Sequence, residues 1–239
     1  MTEFDNTLAE QLLKVKITEL EMLRDRGYDI SKDEGIFTFR TSDFYNYYSQ
    51  LAKTQNINIK QALSKSYFKT ESDGTVKMVY VYYPESVIEK GKIKELNVKA
   101  IRSIVKLMQS HDIEHIILMT EAGIRRDALK EFDKLPSYQV ESFVFDEMTY
   151  NLTKHFLVPK YTLMTNEEMT DMLKRNRLRI TDLPRMYKND PVARYYGAKP
   201  GQLFKILRDP MYSASLIPEQ LYYRLILAGN RPNDPPKLY

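Results

Sequence analysis

Arg125 and Arg126, side by side in AGIRRDALK, are a natural starting point for chemistry in this chain. They fall where a short apolar run gives way to a helical pattern, at a strand-to-helix turn. Exposed backbone amides at such a turn, with two guanidiniums beside them, suit a phosphate. Adjacent surface arginines are common, so the pair by itself is weak. The octet DPVARYYG (190–197) poses a different problem. A solvent loop has no need of two tyrosines, and a core strand is a poor place for Asp190 and Arg194. Pro191 fixes its own φ and restricts Asp190 before it, so the segment is pre-shaped. Tyrosine and arginine are enriched among interface hot spots, and Gly197 permits a turn. The mixture reads as an interface element, the alternative being that Tyr195 is core and only Arg194 or Tyr196 is exposed.

Nothing else argues for catalysis. The eight glycines form no dinucleotide fingerprint, no Gly-Lys-Ser/Thr phosphate loop and no nucleophile elbow. There are no cysteines, which removes disulfides, thiolate chemistry, iron–sulfur clusters and cysteine zinc sites together. His111 and His115 are four apart, but a helix ends and a strand begins between them, so no metal site is expected. His115 and His155 read as boundary residues with satisfied rings. Glu121 and Asp146 stand at strand ends without a tight carboxylate motif. KRNRLR (174–179) reads as a solvated helix end favoured by the helix dipole. No catalytic residue, metal or cofactor is expected. The acidic N-terminus lacks the pattern of a secretory signal, and no apolar run approaches the ~20 residues of a membrane span. A soluble, intracellular protein with no membrane partner is expected.

The elements that must position these residues are legible as two groups. In the first, Leu8–Arg26 repeats apolar residues at helical spacing before Gly27. Thr41 or Ser42 can cap a second helix whose aromatics, Phe44, Tyr45, Tyr47 and Tyr48, read as core. TVKMVYVYY (75–83) reads as a strand, Leu96–Met108 as a helix and HIILMT (115–120) as a buried strand. Arg125–Phe132 then reads as a helix and QVESFVF (139–145) as a strand. That is a βαβαβ order, with parallel strands and helices on a small sheet. After residue 148, Thr165 and Glu168 form a capping box for a helix carrying Met169, Met172 and Leu173. QLFKILR (202–208) and QLYYRLIL (220–227) read as strands, and RPNDPPKLY as an extended tail. The net charge of +4 divides unevenly, the first 150 residues being slightly acidic and the remainder strongly basic.

The run from His155 to Arg208 resembles the carboxy-terminal domain of the fifth-largest subunit shared by the eukaryotic nuclear RNA polymerases. A small archaeal polymerase component looks like this domain alone. The resemblance is carried by H-x-L-V-P-K (155–160), L-P-R (183–185), D-P-V-A-R-Y-Y-G (190–197) and G-x-x-x-K-I-x-R (201–208), in that order. LRDRGYDISKDE (23–34) and YVYYPE (80–85) are similar to the family's amino-terminal domain more loosely. The resemblance implies an α+β/α/β two-domain subunit without an active site. Residues 1–148 would be a jaw domain beside downstream duplex DNA. Residues 149–228 would be an assembly domain anchored to the largest subunit and near other polymerase subunits, and 229–239 a Pro-rich tail.

It further implies a sequence-independent DNA contact at Gly123, Arg125, Arg126 and Lys130. The partner contacts it implies are His155, Val158, Pro159 and Lys160; Leu183, Pro184 and Arg185; Asp190, Pro191, Val192, Arg194, Tyr195, Tyr196 and Gly197; and Arg208, Tyr223 and Arg224. Two departures stand out. The family's Thr-Pro-Ser is missing at the AGIRRDALK loop, and RDPMYSASLIPEQLYYR (208–224) is about four residues longer than the family's ending, without its glycine. Such divergence fits a distant eukaryote, with the protein in the nucleus. It fits better a large DNA virus encoding its own polymerase, with the protein in the virion or a cytoplasmic factory. A free-standing transcription regulator borrowing the anchor domain is the second reading, and a nuclease on the βαβαβ unit ranks last.

Overall fold

The first helix, α1 (Glu3–Asp25), buries Leu12, Val15, Leu20, Met22 and Leu23 at the helical repeat that the sequence displays. It belongs to a computed structural model that describes residues 3–71, 73–135, 137–208 and 220–228. The chain divides into two units, the first reaching Tyr150 and the second starting at Asn151.

In the first unit, a 3-10 helix (Ser31–Thr38) leads to α2 (Thr41–Gln55) and α3 (Ile59–Leu63). The strands are β1 (Lys65–Thr70), β2 (Val76–Tyr82), β3 (Val87–Glu89) and β4 (Lys92–Lys94). Next come α4 (Val98–Ser110), β5 (His115–Thr120), α5 (Arg126–Asp133), β6 (Gln139–Val144) and α6 (Phe145–Met148). The main sheet runs β1-β2-β5-β6. β2 pairs in parallel with β5, and β5 with β6, as the βαβαβ order requires. β1 is an antiparallel edge strand that periodicity does not reveal. KSYFKT buries Tyr67 alone, and an edge strand needs no continuous apolar run.

Tyr80 and Tyr82 share a sheet face with Ile116 and Leu118, and there Ile101, Ile104 and Met108 of α4 and Ala128 of α5 close one core. On the opposite face, Lys16 of α1 is buried. Its Nζ donates to Glu19 (2.8 Å), to the Leu63 carbonyl (3.2 Å) and to the Tyr67 hydroxyl (3.1 Å), while Tyr83 donates to Glu19. Burial pushes the Glu19 pKa up against the pull of Lys16 and Tyr83. A charge buried under a sheet is tolerable when its hydrogen-bonding capacity is filled in this way.

Two local expectations are corrected. Tyr47 is 51% exposed, whereas Phe44 and Tyr48 are buried as read. Helix α2 starts at Thr41 with Arg40 in the cap position, and it is Asp43 that accepts from the Arg40 amide (3.3 Å). Thr41 and Ser42 therefore lie inside the helix.

The second unit holds a 3-10 turn (Leu152–Lys154), β7 (Lys160–Leu163), α7 (Asn166–Asn176), a 3-10 turn (Ile180–Asp182), β8 (Arg185–Tyr187), α8 (Pro191–Tyr195), β9 (Leu203–Arg208) and β10 (Gln220–Leu227). Its sheet runs β7-β9-β10-β8, with β8 and β10 parallel and the other pairs antiparallel. Thr165 caps α7 in the expected box, accepting from the Glu168 amide (3.2 Å) while Glu168 accepts from the Thr165 amide (2.8 Å). β7, β8 and α8 are each five residues or shorter, too brief for periodicity to show. Most of the lengthened 208–224 connection and the 229–239 tail lie outside the described residues.

Glu141 on β6 carries a testable consequence. Arg26 donates to both of its oxygens (3.2 and 2.8 Å), and the His115 ring lies 2.8 Å from one of them. Burial pushes the Glu141 pKa up, but Arg26 and His115 outweigh it and hold the carboxyl well below its ordinary 4.5. A depressed carboxylate contributes stability that is complete above its unfolded pKa and is lost progressively as the pH falls through its folded pKa. Glu141→Gln should cost about 3 kcal/mol at pH 7, because buried Arg26 loses the carboxylate that accepts from it twice. Urea denaturation at pH 7 and pH 2.5 should show the gap between variant and wild type narrowing in acid. A gap independent of pH would contradict this account.

Candidate functional site

The residues singled out for chemistry lie on two surfaces, one in each unit. In the first, Thr120 ends β5 and a short loop delivers the chain to α5. Gly123 takes φ +85, a conformation that other residues rarely adopt; space is not the constraint, since an added Cβ would meet only Val144 Cγ2 at an ordinary 3.7 Å. Ile124 is buried and forms a parallel bridge with Leu96. The Leu96 amide donates to the Gly123 carbonyl (2.9 Å), and the Arg125 amide donates to the Leu96 carbonyl (3.1 Å). Arg125, Arg126 and Lys130 emerge exposed from this pinned backbone. Arg125 pairs with Asp127 at 3.2 Å, both more than half exposed, which is worth little in water. The arrangement can hold an anion electrostatically and has no means of reading its identity.

In the second unit, α8 is the octet. Asp190 caps it, its carboxylate accepting from the Val192 amide (3.0 Å), and Pro191 occupies the first turn. Val192, Ala193 and Tyr195 are buried; Arg194 and Tyr196 are half-buried, and Pro191 is exposed. Val192 and Ala193 pack with Met186, Ala198, Phe204, Ile206 and Ile226, and Tyr196 lies edge-on to Phe204 at 5.6 Å. Gly197 ends the turn at φ 61. The hydroxyl of buried Tyr195 accepts from Asn151 Nδ2 (3.0 Å), and Asn151 Oδ1 in turn accepts from the Thr153 amide (3.0 Å) and hydroxyl (2.7 Å). The alternative weighed for Tyr195, that it is core, is what the structure displays. Among the proposed contact residues Leu183 is buried as well, packed with Met172, Leu203 and Leu225.

What Asn151 and Tyr195 hold in place is the turn at 152–159. His155 ends the 3-10 turn, its Nδ1 accepting from the Leu157 amide (3.2 Å) and its ring stacking on Phe156 at 4.8 Å. The His155 carbonyl accepts from the Val158 amide (2.8 Å). Phe156 and Leu157 stand 65% and 64% exposed, with Lys160 exposed and Val158 and Pro159 half-buried beside them. Two adjacent large apolar side chains thus stand in solvent on a hydrogen-bonded turn. Neither was among the expected contacts, although Leu157 stands in the H-x-L-V-P-K motif; the signal was present, since Phe-Leu-Val between His155 and Pro159 is too short for a core strand.

A second cluster forms around Tyr161 on β7, another residue missed. Burial pushes its pKa up, Arg224 and Arg208 oppose that, and Asp190 adds to it, so three residues far apart in sequence act on one hydroxyl. Arg208 also lies over the Tyr222 ring at 4.8 Å. Pro184 and Arg185 are exposed and Tyr223 is half-buried opposite Lys205. Among the described residues, no three His, Asp or Glu side chains gather as a metal site.

Comparison with known proteins follows the same two-part division. The description "RNA polymerase Rpb5, N-terminal domain" matches residues 6–108, and "RNA polymerase Rpb5, C-terminal domain" matches 150–226. A Caenorhabditis elegans protein, subunit RPABC1 of DNA-directed RNA polymerases I, II and III, is 30% identical over 227 residues, covering 93% of this chain and 99% of its own length. Subunit 5A of Arabidopsis thaliana DNA-directed RNA polymerase V is 34% identical over 188 residues, covering 78% of this chain and 77% of its own. Subunit rpabc1 of the Dictyostelium discoideum polymerases is 29% identical over 201 residues, with 83% and 90% covered.

The geometry separates stability from exposure along this surface. Tyr195→Phe should cost about 1–2 kcal/mol in urea denaturation, since it strips a partner from a buried amide. Phe156→Ala should stay within about 0.5 kcal/mol of wild type. Equal effects at the two positions would contradict the assignment of one as support and the other as surface.

Proposed function

The chain belongs to the Rpb5 family of RNA polymerase subunits, and on that premise we propose that it is a non-catalytic subunit of a DNA-directed multisubunit RNA polymerase, anchored through its second unit. The observation that carries the reading is that both family domains match, in family order, along most of one chain. The largest polymerase subunit is the partner proposed for the second unit. Its contact is carried by the exposed and half-buried residues His155, Val158, Pro159, Lys160, Pro184, Arg185, Asp190, Pro191, Arg194, Tyr196, Gly197, Arg208, Tyr223 and Arg224, joined by Phe156 and Leu157. Leu183, Val192 and Tyr195 act beneath them as support. Large rigid side chains above a filled interior lose little freedom on binding, which favours affinity.

The first unit lies beside downstream duplex DNA in this reading, with Gly123 shaping the loop and Arg125, Arg126 and Lys130 facing phosphates. Guanidiniums on a pinned backbone support a contact with the sugar-phosphate chain, blind to sequence. A cellular protein of this kind works in the nucleus, and a viral one in the virion or a cytoplasmic factory.

A tagged chain purified from its native cells should carry the two largest polymerase subunits at one copy each and keep them through a high-salt wash. Substoichiometric, salt-labile recovery would instead mark a regulator and overturn the subunit reading. For the DNA-facing loop, Arg125→Ala with Arg126→Ala should weaken duplex binding equally across unrelated sequences. It should also lower the slope of log Kobs against log salt by about 2, near 0.9 for each phosphate lost. A loss confined to particular sequences would contradict backbone contact.

A further inference from the structure

The β3–β4 hairpin stands beside the basic loop, and its residues 88–95 are all exposed. A two-stranded ribbon is marginal by itself in water, yet this one is fastened at both roots to the loop that carries Arg125. On the entering side, Ser86 hydrogen-bonds Glu121, which also pairs with Lys60. On the leaving side, Leu96 bridges Ile124 through the two backbone hydrogen bonds described above. Between the roots, Ile88 and Ile93 face each other across the ribbon and hold its register.

Lys92 and Lys94 share one face of the ribbon, about 7 Å apart along the strand, with Glu89 directly across from Lys92, and Lys90 sits at the tip; the tip segment 89–95 carries three lysines against Glu89 and Glu95. None of the three is held in an ion pair among the described residues. Lys90 and Gly91 both have positive φ (52 and 72), the turn that two-residue hairpins prefer and that favours Asn ahead of Gly. A lysine is thus kept at the tip in a backbone conformation that suits it less well than asparagine. Lysines without aromatic or arginine anchors are a poor protein-docking set. Cations recurring along an extended strand suit a polymer whose anions recur along its length.

We propose that this hairpin grips the phosphate backbone of duplex DNA through Lys90, Lys92 and Lys94, extending the contact made by Arg125 and Arg126. The inference rests on the reading of that loop as DNA-facing. The pinned roots hold the ribbon and the loop as one element, so the two sets of cations act together.

Binding of the full-length chain to a fluorescent 20-base-pair duplex of random sequence, measured by anisotropy across a salt series, tests it. The Lys90→Ala, Lys92→Ala, Lys94→Ala triple variant should bind roughly tenfold or more weakly at low salt, with the log–log salt slope reduced by about 2 to 3. Lys90→Asn separates binding from folding: affinity should fall while the melting temperature holds or rises, and unchanged affinity would count against the proposal. If the triple variant binds like wild type while Arg125→Ala with Arg126→Ala binds weakly, the hairpin proposal is overturned and the reading of the loop stands. If the wild-type chain does not bind the duplex, both fail together. Unchanged DNA binding with lost binding to polyglutamate would assign the hairpin to an acidic protein and also overturn the proposal.

Discussion

The hydrogen bond from Asn151 to the buried hydroxyl of Tyr195 joins the opening turn of the second unit to α8. Both residues are almost wholly buried, at 4% exposure each, so neither polar group can turn to water if the other moves away. That constraint fixes the 3-10 turn at 152–154 against the octet, and the octet is itself fixed by the packing of Val192 and Ala193. Phe156 and Leu157 are held out in solvent as a result. Their exposure is costly to an isolated chain and useful to one that is covered in an assembly.

The first unit uses the same device with backbone in place of side chains. Leu96 reaches across to Gly123 and Arg125, so the basic loop is fixed by a fragment of sheet that belongs to neither neighbouring strand. Elsewhere in the unit, charges that could not survive burial singly are grouped: Lys16 with Glu19, Arg26 with Glu141, which the His115 ring also contacts, and Lys60 with Glu121. The last two groups join elements distant in sequence, and the first, inside α1, reaches the Leu63 carbonyl, Tyr67 and Tyr83.

Long elements with strong periodicity were readable from the sequence: α1, α4, the parallel β2-β5-β6 order and the capped α7. Short elements were not. β7, β8 and α8 have too few residues to display a period, and β1 hides at an edge where one buried tyrosine suffices. DPVARYYG shows why site residues are harder still. Tyrosine and arginine serve interfaces and satisfied cores alike, and the buried Asn151 that decides between them lies 44 positions away. Phe156 and Leu157 were hidden for the opposite reason. Apolar residues in a sequence read as core until a structure leaves them uncovered.

The claim most exposed to test is that the polymerase is held by the 155–160 turn, with the octet as its support. Introducing Phe156→Asp and Leu157→Asp into the full-length chain and measuring both its melting curve and its recovery with the polymerase's largest subunit addresses this directly. The account predicts an unchanged melting curve with association lost. Association retained at wild-type level by a folded variant would contradict it.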